Sequence, residues 1–476
     1  MVGMTFGDLI QNQSRQTKSC SQLVTPLRVH SRDYRCSRYG SEAIGSLTNP
    51  LIQDMNEASR KYLFYYLVLY DIPNQNPFRE LIPMIHQHPV LLHIIVANSA
   101  LHMSNSSQGL LSANQNPLSA SHTEVMDSAC WQSSQSDQAG SYYYALAAKQ
   151  RALCLLRPAL DNPLSMNNDV ILAVVLLFIE FELLDSGRDD WKHHISGAKA
   201  IIEKLCLPST FTPTVMTPLR RSLVSNFVVF DILGSTFTCP ATHLPSSTSS
   251  RALSLLQDAQ GNHCSSFPTE LLELLQSAGQ IAQASNVSSR HCSLSGSLQQ
   301  LLLLISVAQS FDPLAWASRL EPISPAPDLE HRTRVAFAHR GAVLIYLTRV
   351  IYSLDPAADL PLNLDCLVEE IIGHISFIST SNVLFTATTW PAFIAGAESS
   401  DCTSQQWVTQ HFHELWKVEP WGQIRGALGV LERIWEKRRM QRKMPMNMDQ
   451  NIHGGTGKED NWVADLQAGG VDWLIV

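Results

Sequence analysis

Four stretches carry residues whose types and spacing could do chemistry. His413-Glu414 opens His-Glu-Leu-Trp-Lys, but a zinc-protease helix needs a second histidine where Lys417 stands, so His411 and His413 read as partly exposed helix residues. His86, His88 and His93 lie close in sequence, yet Pro89 interrupts any single helical face that would gather them around a metal. Gly454-Gly455-Thr456-Gly457-Lys458 resembles a phosphate loop, but Ile452 replaces its first glycine and Glu459 its magnesium-binding hydroxyl. Asp189-Asp190 would start a magnesium-binding carboxylate face, except that His193 takes the third acidic position; the pair suits the positive end of a helix instead. No Gly-x-Ser-x-Gly elbow is present. The sequence therefore reads as that of a protein without catalytic or metal-binding residues, and not as an enzyme.

A fifth cluster is basic. Lys437, Arg438, Arg439, Arg442 and Lys443 follow the helical stretch Leu-Glu-Arg-Ile-Trp-Glu. Cations at a helix C-terminus favour the dipole, and the same run can serve as a nuclear import signal or contact phosphate.

The elements that would position these groups are helices. At the centre, Asp169 to Leu205 reads as two helices joined by a tight polar turn, the first carrying an unbroken apolar run from Val170 to Ile179. That run is too short to cross a membrane. Ser186-Gly187 supplies a left-handed stop, and the apolar stripe of the second helix runs through Trp191, Ile195, Ala198, Ile201, Ile202 and Leu205. Gly197 inside it implies a close helix crossing. Helical periodicity recurs from Glu57 to the basic cluster, and no strand-turn-strand signals occur. The fold class expected is all-α: one large irregular multi-helix domain over 56–476, two Ser-rich flexible loops at 104–140 and 234–296, and a disordered basic arm at 1–55.

Composition agrees. The 476 residues are 45% hydrophobic and 16% charged, enough apolar material for a core. A net charge of −8 lacks the footprint of an isolated DNA-binding module. No secretory signal is visible at Met1, and ten scattered cysteines without a Cys-x-x-Cys pair read as reduced core residues, pointing to the nucleus or cytosol.

Four further segments stand out in order: Asn76-Pro77-Phe78-Arg79 with the helix after Pro89; Trp191, His194, Gly197 and Ala198 in the hairpin; Trp390-Pro391-Ala392-Phe393-Ile394-Ala395-Gly396-Ala397-Glu398; and the closing Leu-Gly-Val-Leu-Glu-Arg-Ile-Trp-Glu-Lys-Arg-Arg and Val-Asp-Trp-Leu-Ile-Val. Together they resemble the fungal-specific transcription factor domain, the helical region of zinc-cluster regulators. The resemblance implies Trp191, His194, Gly197, Trp390, Pro391 and Gly396 as structural signature residues. It implies a nuclear transcription regulator of a metabolic or secondary-metabolite gene cluster, with a coregulator or homologous regulator and a small-molecule effector as partners, and no membrane. The family's zinc cluster needs six cysteines in a short basic segment, whereas Cys20 and Cys36 stand alone in the arm. No cofactor is expected in this chain, and zinc would enter only with an upstream Cys-rich module. DNA contact would then be indirect or made by that module. The alternative is a partner that modulates a full-length regulator without touching DNA.

Overall fold

A computed structural model describes residues 57–69, 77–108, 128–161, 167–206, 217–238, 266–287, 291–320, 328–443 and 461–476. The arm at 1–55 and the glycine-rich stretch at 454–458 lie outside them. Among the described residues fifteen α-helices follow in order: α1 (Glu57–Leu69), α2 (Pro89–Ser106), α3 (Ser128–Asp161), α4 (Asn168–Asp185), α5 (Trp191–Cys206), α6 (Pro218–Thr236), α7 (Thr269–Val287), α8 (His291–Ser310), α9 (Pro313–Ala317), α10 (Asp328–Leu354), α11 (Leu364–Ser376), α12 (Thr389–Glu398), α13 (Cys402–Val418), α14 (Gly422–Lys443) and α15 (Trp462–Ala468). Short 3₁₀ segments at Pro77–Met84 and Thr386–Thr388 lead into α2 and α12. Among the described residues there is no strand, only one isolated bridge between Arg188 and Trp473. The all-α expectation holds.

Local chemistry sets many of the helix ends. Pro89, Pro218 and Pro313 occupy first-turn positions, where a missing N–H leaves nothing unsatisfied. Side chains of Asn167, Thr217, Asp312, Asn363, Asp401 and Asn461 accept from amides of the helices they open. Gly187, at φ +70°, stops α4 as expected. Its N–H donates to Glu182 O at 2.7 Å.

Two helices act as packing centres. α4 is buried without interruption from Asp169 to Ile179 and lies against α2, α5, α6 and α14. Asn98 and Asn105, seven apart on α2, donate to the carbonyls of Leu177 and Leu184, seven apart on α4, at 3.0 and 2.7 Å. The matched spacing sets the register of the two helices. α10 is the second centre, touching α7, α8, α9, α11, α12 and α15. Both belong to one hydrophobic cluster. No described helix is long and apolar enough to cross a membrane.

Two readings change. The Ser-rich segments are narrower than 104–140 and 234–296, because α3 already begins at Ser128, α6 runs to Thr236, and α7 and α8 together cover 269–287 and 291–310. Once the amphipathic part of α3 is nucleated by packing, extending it through Ser and Gln adds a hydrogen bond per residue at little cost. Residues 109–127 and 239–265 lie outside the described set. His411 is also deep in the core rather than partly exposed. It stacks on Trp407 with ring centres 4.9 Å apart and meets Thr388 Oγ1 at 2.9 Å. Burial holds its imidazole down at about 3. His413 is half-buried.

Candidate functional site: the C-terminal clasp

The signature residues converge where the C-terminal segment folds back on the hairpin and on α12. The first junction is the end of α12. Glu398, buried there, accepts from Arg349 of α10 through both carboxylate oxygens and from Trp462 Nε1 of α15 at 2.9 Å. Arg438 of α14 donates to Ser399 O at 3.0 Å, and Trp435 Nε1 to Gly396 O at 2.9 Å. Carbonyls at a helix C-terminus lack intrahelical partners, and cationic donors there also favour the dipole. Asn461 Nδ2 joins Arg349 O and Ser353 Oγ, each at 2.8 Å, while its Oδ1 caps α15.

Gly396 sits where a Cβ would meet Val408 Cγ1 at 2.8 Å and Leu431 Cδ1 at 3.0 Å, so α12 lies tightly on α13 and α14. Pro391 falls in the first turn of α12, where its ring displaces no hydrogen bond. Trp390 fills the core beside Phe267, centres 5.4 Å apart.

The second junction is the hairpin turn. Trp191 Nε1 donates to Asp472 O at 3.2 Å, Asp472 N to Asp189 Oδ1 at 2.9 Å and Leu474 N to Gly187 O at 2.8 Å. Lys192 pairs with the Asp472 carboxylate. The Trp191 ring occupies the space a Cβ on Gly234 would need, 2.5 Å from its Cη2. One turn inside, His194 stacks on Phe178 at 5.1 Å and its Nε2 lies 3.2 Å from Glu182 Oε1, which Lys149 Nζ reaches at 2.8 Å. Gly197 is buried. These polar groups are engaged with one another, and the triad lies in the core rather than in a cleft.

The basic cluster divides. Arg438 is buried as a cap and Lys437 pairs with Asp465, whereas Arg439 and Arg442 are exposed. Lys443 ends α14. Of the cluster, Arg438 is thus committed to packing against the end of α12. His86 is exposed, and His88 and His93 are half-buried on either side of the Pro89 turn.

Sequence reasoning passed over two other cations. A cleft of about 400 Å³ opens between the hairpin turn, α14 and α15, with Val430, Ile434, Leu466 and Val471 as its floor and Arg188 and Arg433 at its edge. Arg433 lies one helical turn before Lys437, which was the only signal available. A smaller polar cavity of about 40 Å³ lies between α6, α7 and α10, near Asp231, Gln276 and Tyr346. No three described His, Cys, Asp or Glu side chains gather as a metal site, and Cys154, Cys366 and Cys402 are exposed on separate helices rather than in the core as the sequence suggested.

Residues 64–475 match the family described as the fungal specific transcription factor domain. The chain belongs to this family. It is a fungal transcription regulator. The acriflavine sensitivity control protein acr-2 of Neurospora crassa is 27% identical over 447 residues, a match covering 90% of this chain and 69% of that protein. No solved structure matches. Of the segments that carried the resemblance, the hairpin, α12, α14 and the closing residues 471–476 meet in the clasp.

Proposed function

We propose that this regulator acts in the nucleus as a non-catalytic, responsive helical domain controlling a metabolic or secondary-metabolite gene set. A small molecule or a coregulator shifts its population between arrangements, by as much as its affinities for them differ. The observation that carries this reading is the family match from 64 to 475, which spans both packing centres and the clasp. The name of the Neurospora relative, which controls acriflavine sensitivity, supports a role in the response to small molecules. Contact with DNA is made through a zinc-cluster module or a homologous regulator, with the arginines of the arm adding salt-sensitive contacts. The second reading is a partner that modulates a zinc-cluster regulator without touching DNA itself.

Disruption of the gene in its host, with transcripts counted in both strains, tests the role. Coordinated loss or gain of a small gene set is expected, and an unchanged transcriptome refutes it. A fluorescent fusion is expected in the nucleus, and Arg439→Ala with Arg442→Ala in that fusion is expected to lower nuclear accumulation if the exposed cations serve import. A gel shift at moderate salt separates the two readings, since only the DNA-binding form prefers a sequence.

A further inference from the structure

The cleft beside Trp473 is unlike the rest of the clasp, because two of its three cations form no ion pair with a described residue. Arg188, in the hairpin turn, and Arg433, on α14, stand with their guanidinium carbons 5.3 and 5.7 Å from the centre of the Trp473 ring. Both side chains are exposed, and neither forms an ion pair with a described residue. Lys437, the third cation of the rim, is neutralised by Asp465. Two like charges held beside one indole repel each other, and the ring attracts both. The ring is itself fixed. Trp473 is buried, and a Cβ on Gly426 would stand 2.8 Å from its Cζ3, so the indole lies directly on the α14 backbone. Below this charged edge, Val430, Ile434, Leu466 and Val471 form an apolar floor, and the volume of about 400 Å³ falls within the range of small-molecule sites.

We propose that this cleft binds a small amphipathic organic carboxylate. The anionic head is held by the forked donors of Arg188 and Arg433, and the aliphatic or aromatic body lies on the floor. Guanidinium groups match carboxylates in two-point geometry, which makes such contacts both strong and directional. A nucleic-acid phosphate shares the charge but has no apolar body to fill the floor. An uncharged apolar compound fills the floor and leaves the two cations unanswered. The ligand would bridge the hairpin turn to α14 across the docked C-terminal segment, tying the second junction of the clasp shut. This deepens the effector reading proposed above and rests on it for its biological meaning, but the binding itself is measured directly, so either can fail while the other stands.

Isothermal titration of the full chain with sodium naphthoate at pH 7 tests the site. One saturable site per chain is expected, with the neutral amide of the same ring, which loses the charge-assisted contact, and inorganic phosphate, which lacks the apolar body, each binding at least about tenfold more weakly. Arg188→Gln combined with Arg433→Gln should weaken naphthoate by about tenfold or more, while Arg439→Gln with Arg442→Gln leaves it unchanged. Val471→Trp fills the floor without touching either cation and should abolish naphthoate binding, which keeps the test decisive if the arginine variant folds poorly. Absence of naphthoate binding at millimolar concentration overturns the proposal. So does equal affinity for the amide, full competition by phosphate, or indifference to both sets of substitutions.

Discussion

Glu180 and Glu182 stand two residues apart in α4 and titrate in opposite directions. Glu180 forms no ion pair with a described residue; burial, with Glu419 nearby, pushes its carboxyl up to about 8. Burial likewise holds Glu419 at about 7. Burial also works against ionised Glu182, but Lys149 and His194 outweigh it and hold that carboxyl at about 2. The ordinary value for all three is 4.5. For Glu180 and Glu419 the folded value is the higher one, so their contribution to stability is complete below pH 4.5 and disappears as pH rises through 7 to 8. For Glu182 it is the lower one, so its contribution is present above 4.5 and disappears as pH falls toward 2. Glu180→Gln is therefore expected to raise the unfolding midpoint at pH 9, with little effect at pH 5. Thermal melts at the two values check this, and an equal shift at both would show that charge is not the cause.

At the scale of elements, the close approach of α12 to α13 and α14 depends on a missing side chain. A methyl group at Gly396 would press on Val408 and Leu431 from both sides, and overpacking of this kind costs about 1–3 kcal/mol. Gly429, also within α14, has nothing within 4 Å of a would-be Cβ. There the same change removes only the helix penalty of glycine, worth up to about 1 kcal/mol. Gly396→Ala should thus lower the urea midpoint and Gly429→Ala raise it. If both moved the same way, helix propensity rather than close packing would govern this layer.

For the whole molecule, the final sixteen residues join the two packing centres. Trp462 reaches Glu398 beside α10, and Asp472 and Leu474 reach the hairpin that carries α4. Trp462, Val463, Trp473, Leu474 and Ile475 are all buried. At about 1.5–3 kcal/mol for each large apolar side chain, their removal takes away on the order of 10 kcal/mol, comparable with the roughly 5–15 kcal/mol that holds a domain together. A chain ending at residue 460 should lose its cooperative unfolding transition and become sensitive to dilute protease. Retention of one sharp transition would show that the centres hold each other without the clasp.

Local physics made the helical class, the buried run of α4, the stop at Gly187 and the helix start at Pro89 readable from residue order alone, and the family signature was readable by resemblance. Each depends on neighbours within a turn or two, where periodicity, capping and left-handed backbone act. Tertiary structure alone decided which charges remain available. Arg438 looks like its neighbours in the basic cluster, yet the end of α12 claims it, while Arg188 and Arg433, far apart in the chain, each lie beside the ring of a tryptophan beyond both. His411 became a core residue for the same reason, because Trp407 on its own helix and Phe385 from another segment enclose it. A side chain's helix is set by the residues beside it, but its partners are set by whichever distant segments pack against it.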